Sequence, residues 1–156
     1  MASGPPGPPL RPFGLVLHHD GRWSHEGEPI LNARLRAAFD RSVRYLPEAG
    51  VHVVQLGRFR GRIEVEEAGF FVRAFDAASG AISLSDRSQE ALEPQSLHVS
   101  PRDGALLCRV KRDLLASGLL ARFTHAAQAQ LLAAVEESGE QPVLRLAGRQ
   151  VALPAL

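Results

Sequence analysis

Two Asp-Gly pairs, Asp20-Gly21 and Asp103-Gly104, constrain this chain more than any other feature of its 156 residues. A two-residue type I′ turn needs positive φ at both central positions, and Asp-Gly between short apolar runs is its strongest local signal. Each pair therefore predicts a β-hairpin, Phe13 to His19 with Arg22 to Glu26 at the first and Leu97 to Ser100 with Ala105 to Val110 at the second. Helical spacing follows each hairpin. Pro29 suits a first helical turn, and Leu31, Leu35, Ala38, Phe39, Val43 and Leu46 keep one face up to Pro47. Asp113 is placed to cap a helix over Leu114 to about Phe123, and Thr124 to restart it toward Glu137. Phe39 lies 19 positions after Asp20 and Phe123 lies 20 after Asp103, a spacing that fits an internal duplication.

Between these units, Val51 to Leu56, Arg62 to Glu67 and Phe70 to Asp76 read as an antiparallel meander broken at Gly57, Gly61 and Gly69, with Ala81 to Leu84 as a further strand. Val143 to Leu146 and Gln150 to Leu153 form a closing hairpin. The polar stretch Asp86 to Pro94 is the expected boundary between halves. The organisation is thus a Pro- and Gly-rich disordered tail over 1–12, an N-terminal α+β lobe over 13–85 and a C-terminal α+β lobe over 86–156. The fold class is α+β, two small lobes with repeated hairpin-helix motifs and antiparallel sheets. Pro9-Leu10-Arg11-Pro12 fits a PxxP docking pattern, but the composition of the tail accounts for it.

Chemistry narrows the function classes. The net charge is +1, so no global field draws in nucleic acid or an anionic membrane, and Lys111 is the only lysine among 18 basic residues. A single cysteine, Cys108, excludes an internal disulfide and a cysteine-based zinc site, and its apolar run reads as packing. Met1 to Pro12 has no apolar signal region, and no run approaches the length of a membrane span, so the expected location is the cytoplasm.

Gly21-Arg22-Trp23, Gly27-Glu28-Pro29-Ile30, the helix ending near Phe39, and Ile63-Glu64-Val65-Glu66-Glu67 leading to Phe70-Phe71-Val72 carry a resemblance to a bacterial family, domain of unknown function 1285 (DUF1285). It extends through the second hairpin and Arg122 to the terminal strands and covers most of Leu15 to Leu153. Gly69, where the family tends to have Pro, and the segment Ala77 to Gln95 depart from it. The resemblance implies a two-lobed α+β fold whose second lobe looks like a pleckstrin-homology domain. It also implies binding at the interface between lobes and a part in signal transduction, with no established activity.

Arg58, Arg60, Arg62, Glu64 and Glu66 share one face of an extended strand, opposite Phe59, Ile63 and Val65. A solvated face with ion pairs explains this pattern. The functional reading is an arginine cluster for phosphate or carboxylate, extended by Arg34, Arg41 and Arg44. Trp23 joins Arg58, Arg60 and Arg62 as an expected ligand contact. His18 and His25 become diagonal neighbours if Asp20-Gly21 is a two-residue turn, but two histidines do not complete a metal site. No nucleophile elbow, phosphate loop, dinucleotide fingerprint or RNA-binding signature is present. Catalytic residues, cofactors and metals are therefore expected to be none. The expected function is a non-enzymatic, regulatory module for a small ligand or a protein partner. The alternatives are an enzyme with a dispersed acid and base site acting on a small, phosphorylated molecule, and a weak nucleic-acid binder.

Overall fold

In the computed structural model, which describes residues 11–156, the chain divides into two compact units, Met1–Glu66 and Glu67–Leu156. Pro9, Leu10 and the rest of the expected tail lie outside the described residues, whereas Arg11 and Pro12 already begin the first strand.

Unit 1 runs β1 (Arg11–Leu17), β2 (Trp23–His25), β3 (Glu28–Pro29), helix α1 (Ala33–Ser42), β4 (Val43–Leu46), β5 (Val51–Leu56) and β6 (Phe59–Val65). These strands make one sheet in the order β3-β2-β1-β6-β5-β4, all neighbours antiparallel except β1 and β6. Alternation places Leu15, Leu17, Trp23, Val54 and Ile63 on one buried face. Helix α1 covers part of that face through Phe39, whose ring centroid is 5.3 Å from that of Trp23. Asn32 caps the helix by accepting the Leu35 N–H at 3.1 Å. The helix is shorter than its apolar spacing predicts, because Val43 and Tyr45 leave it for strand β4, where Val43 pairs with Val54.

Unit 2 runs β7 (Phe70–Asp76), β8 (Ala81–Leu84), β9 (Gln89–Ala91), a 3₁₀ turn (Pro94–Ser96), β10 (His98–Val99), β11 (Leu106–Val110), β12 (Leu119–Phe123), α2 (His125–Ala133), β13 (Val135–Ser138), β14 (Gln141–Leu146) and β15 (Arg149–Ala152). Its main sheet has the order β10-β11-β12-β7-β8-β9, and β13, β14 and β15 form a separate antiparallel sheet. The expected boundary at 86–94 therefore falls inside one sheet, since β8 pairs with β9 across Ser83 and Gln89. Strand β7 does not extend the first meander; its partners are β8 and, in parallel, β12.

Two expectations for the second half are corrected. The segment from Leu114 to Phe123 is a turn followed by strand β12, not a helix. Gly118 sits at φ +78 with Arg109 packed against it, and both faces of the strand are covered: Leu119, Ala121, Arg122 and Phe123 are buried. The helix comes only after Thr124, whose hydroxyl accepts the Ala127 N–H at 3.2 Å, and it gives way to β13 at Val135. The Asp-Gly turns are also not equivalent. In each unit a three-stranded meander precedes a second one, and the first strand of the first pairs in parallel with the last strand of the second. On that correspondence Asp20-Gly21 matches the turn after β7, and Asp103-Gly104 matches the one between β4 and β5.

The coarse class stands as a small α+β protein, mostly sheet, with two α-helices and three sheets among the described residues. No helix there is long and apolar enough to cross a membrane.

Candidate functional site

The hairpin of β1 and β2 aims the polar side chains of unit 1, and its register differs by one residue from the expected one. Leu17 pairs with Trp23, Val16 with Ser24 and Leu15 with His25. Gly21 alone has positive φ, +90, while Asp20 accepts the Arg22 N–H at 3.1 Å, so the loop is three residues, closed by His18 N–H to Arg22 O at 2.8 Å. The two-residue turn with both φ positive is the next one, Glu26-Gly27, at +49 and +86. A slip of one residue turns side chains to the other face. His18 and His25 consequently lie on opposite faces and cannot share a metal.

What His18 meets instead is a carboxylate and a hydroxyl. Its Nδ1 is 3.0 Å from Glu66 Oε2, and its Nε2 is 2.9 Å from Ser24 Oγ. Glu66 Oε1 accepts from His19, through the ring Nδ1 and through the backbone N–H at 3.3 Å. These histidine hydrogen bonds hold the Glu66 carboxyl at about 2, against the ordinary 4.5. An ionised carboxylate only accepts, so the hydrogen of His18 is on Nδ1, and in the neutral ring the Nε2 lone pair faces the Ser24 hydroxyl. Ser24 is 9% exposed and, with His18, Arg22, Trp23, Gly27 and Pro29, lines a cavity of about 300 Å³. Arg22 is paired through Nε with Asp20 Oδ2 at 2.7 Å.

On the helix side of the same sheet, Phe13, Leu15, His25, Ile30, Leu35 and Phe39 line a more apolar groove of about 360 Å³. Leu35 is 42% exposed there, because α1 buries only Phe39 and Ser42.

The residues singled out from the sequence are not brought together. Arg60 and Arg62 share a face of β6, and Arg62 and Arg44 flank Val53 from either side. Arg58 falls in the turn between β5 and β6, outside that strand. Trp23 is 1% exposed, and its Nε1–H donates to Asp40 Oδ1 at 2.8 Å, so its ring is core. Arg44 donates to the Arg41 and Val43 carbonyls at 2.9 and 2.8 Å.

Unit 2 holds a second polar cluster. Arg122 is 7% exposed and donates to Asp103 Oδ1 at 3.0 Å and Glu67 Oε1 at 3.4 Å, and Ser100 donates to Glu67 Oε2 at 2.7 Å. Burial opposes the Arg122 charge, but the Asp103 and Glu67 carboxylates raise its pKa above the ordinary value. Asp103 and Arg122 also line a cavity of about 310 Å³ together with His125 and Gln128. Cys108 is fully buried, and burial pushes its thiol up to about 12. Among the described residues no three His, Cys, Asp or Glu side chains gather to hold a metal.

No protein-family model matches the chain, and no curated protein does. Solved structures do. One, a DUF1285 family protein from Silicibacter pomeroyi DSS-3, superposes with a TM-score of 0.63 at 17% identity, over 98% of this chain and 89% of that one. The fold is that of DUF1285 proteins. A second, a DUF1285 family protein from Shewanella baltica OS155, gives 0.51 at 14% identity, over 77% of this chain and 91% of that one. At such identities the likeness to the DUF1285 structures is one of fold.

Sequence reasoning missed the Ser24–His18–Glu66 alignment because Glu66 lies 48 positions from His18 and no motif spans that distance. The available signal was the hairpin register, which decides which histidine faces Ser24.

Proposed function

We propose that the protein is a ligand-binding module with a regulatory role in the cytoplasm, taking a small apolar molecule in the groove beside α1. The observation that carries this reading is the groove itself. It has the volume of a small-molecule pocket, apolar walls from Phe13, Leu15, Ile30, Leu35 and Phe39, and one convergent polar side chain, His25. A pleckstrin-homology-like second half, suggested by the antiparallel hairpins and helix α2 of unit 2, would suit the same binding role. Arg60 and Arg62, with Arg44, supply anion contacts on the opposite sheet face.

The test is a fluorescence titration with an environment-sensitive apolar dye, 1-anilinonaphthalene-8-sulfonate. Leu35→Asp places a charge in the groove at an exposed helical position and should weaken binding about tenfold at an unchanged melting temperature, in line with about 1.4 kcal/mol of lost apolar contact. Equal binding by both proteins removes the groove. A separate titration with inorganic phosphate compares the wild type with Arg60→Glu, and equal affinity dismisses the anion contacts.

A further inference from the structure

The contacts of His19 serve to tie the β1–β2 loop to Glu66. The contacts of His18 do more than that purpose needs. A ring whose Nδ1 is held by an ionised carboxylate at 3.0 Å presents its Nε2 to a serine hydroxyl at 2.9 Å, and that hydroxyl lines a cavity. A nucleophile, a base within hydrogen-bond reach and a third group that fixes the base are the three parts of an activated serine, recognised by geometry rather than by sequence order. The order here, His18, Ser24 and Glu66, belongs to no motif.

We propose that Ser24 is a nucleophile activated by His18, with Glu66 as the positioning residue, and that the cavity takes the acyl group of a small carboxylic ester. The cavity of about 300 Å³ limits the substrate to a small one. Arg22 at the same cavity is already paired with Asp20 Oδ2 at 2.7 Å, so an uncharged ester fits. The reaction balances with water alone. Ser24 Oγ bonds to the carbonyl carbon, its proton passes to His18 Nε2, and the carbonyl π pair moves onto oxygen. Collapse breaks the bond to the alcohol oxygen, which takes the proton from Nε2 and leaves an acyl-serine. Water attacks the acyl carbon, gives a proton to Nε2, and Oγ leaves and recovers that proton, releasing the carboxylic acid.

A reading of this kind goes beyond ligand binding in the groove, and it rests on other residues. Its experiment is covalent labelling of the intact chain with an alkyl fluorophosphonate, followed by peptide mapping. The expected result is an adduct on Ser24, formed at least about 100-fold more slowly in His18→Gln, the usual contribution of a general base. The proposal is overturned if the folded wild-type protein carries no adduct on Ser24, or if His18→Gln reacts at the wild-type rate. Glu66→Gln separates positioning from scaffolding. Its amide can donate to Nδ1 and favour the opposite tautomer, so nitrogen NMR should show the His18 hydrogen moved to Nε2 together with slower labelling. A variant that labels slowly with its tautomer unchanged would count against the assigned role. Ser24→Ala should abolish the adduct and leave dye binding in the groove intact, so the two readings fail separately.

Discussion

Trp23 shows how far a single residue can be read. Its place beside an Asp-Gly loop suggests an exposed aromatic free to meet a ligand, yet the register turns it inward, against Phe39, with its indole N–H on Asp40. Trp23→Phe removes the donor and part of the ring, and unfolding in urea should show a loss of about 1–3 kcal/mol with dye binding retained. A change in dye affinity without a change in stability would return Trp23 to the binding surface. His18 makes the same point in reverse. Its neighbours in the chain are legible, but its partners, Ser24 and Glu66, depend on whether the loop holds two residues or three. That choice rests on one N–H accepted by Asp20 and one positive φ at Gly21.

At the scale of elements, β-branched and aromatic runs were readable as strands even where both faces are buried, as at Val53-Val54 in β5 and Phe70-Phe71-Val72 in β7. Strands β5 and β8 and the closing hairpin of β14 and β15 fall where their apolar pattern puts them. The run Leu114 to Phe123 does not, because burial on both sides removes its period of two while its Leu and Ala residues, with no Val, Ile or Thr, favour a helix. Gly118 decides between helix and strand by experiment. In a helix, Gly→Ala stabilises by up to about 1 kcal/mol. Here φ is +78 and an added Cβ would stand 2.7 Å from Arg109 Cβ. Gly118→Ala should therefore lower stability by about 1–3 kcal/mol, read from the urea midpoint at constant slope. A stabilised variant would restore the helix. Parallel pairing of β1 with β6 and of β7 with β12 was beyond reach, since each pair joins segments from opposite ends of its unit.

For the molecule as a whole, the titrating groups divide unevenly between the units, and acid should weaken one before the other. Burial holds His52 at about 4 against 6.5, with its ring edge-on to Tyr45 at 5.2 Å. The unfolded chain then binds more protons than the folded one between those values, so this contribution is complete above pH 6.5 and is lost as pH falls toward 4, about 3 kcal/mol at most. Glu66 continues the trend in the same unit. Its depressed carboxyl contributes stability that is present above 4.5 and lost as pH falls toward about 2. In unit 2 the signs differ. Glu90 is raised, burial outweighing the Lys111 N–H and charge, so its contribution grows as pH falls. Asp86 is lowered despite burial, by Lys111 and Ser88, so its loss begins only near 3.8. Hydrogen exchange compared at pH 7 and pH 4.5 should thus show protection falling at Val53 and Val54 in β5 more than at Ala121 and Phe123 in β12. After His52→Phe, which leaves no ring to protonate, the difference between the strands should shrink. Equal loss in both strands would mean that the two units open together and that His52 does not set the acid response.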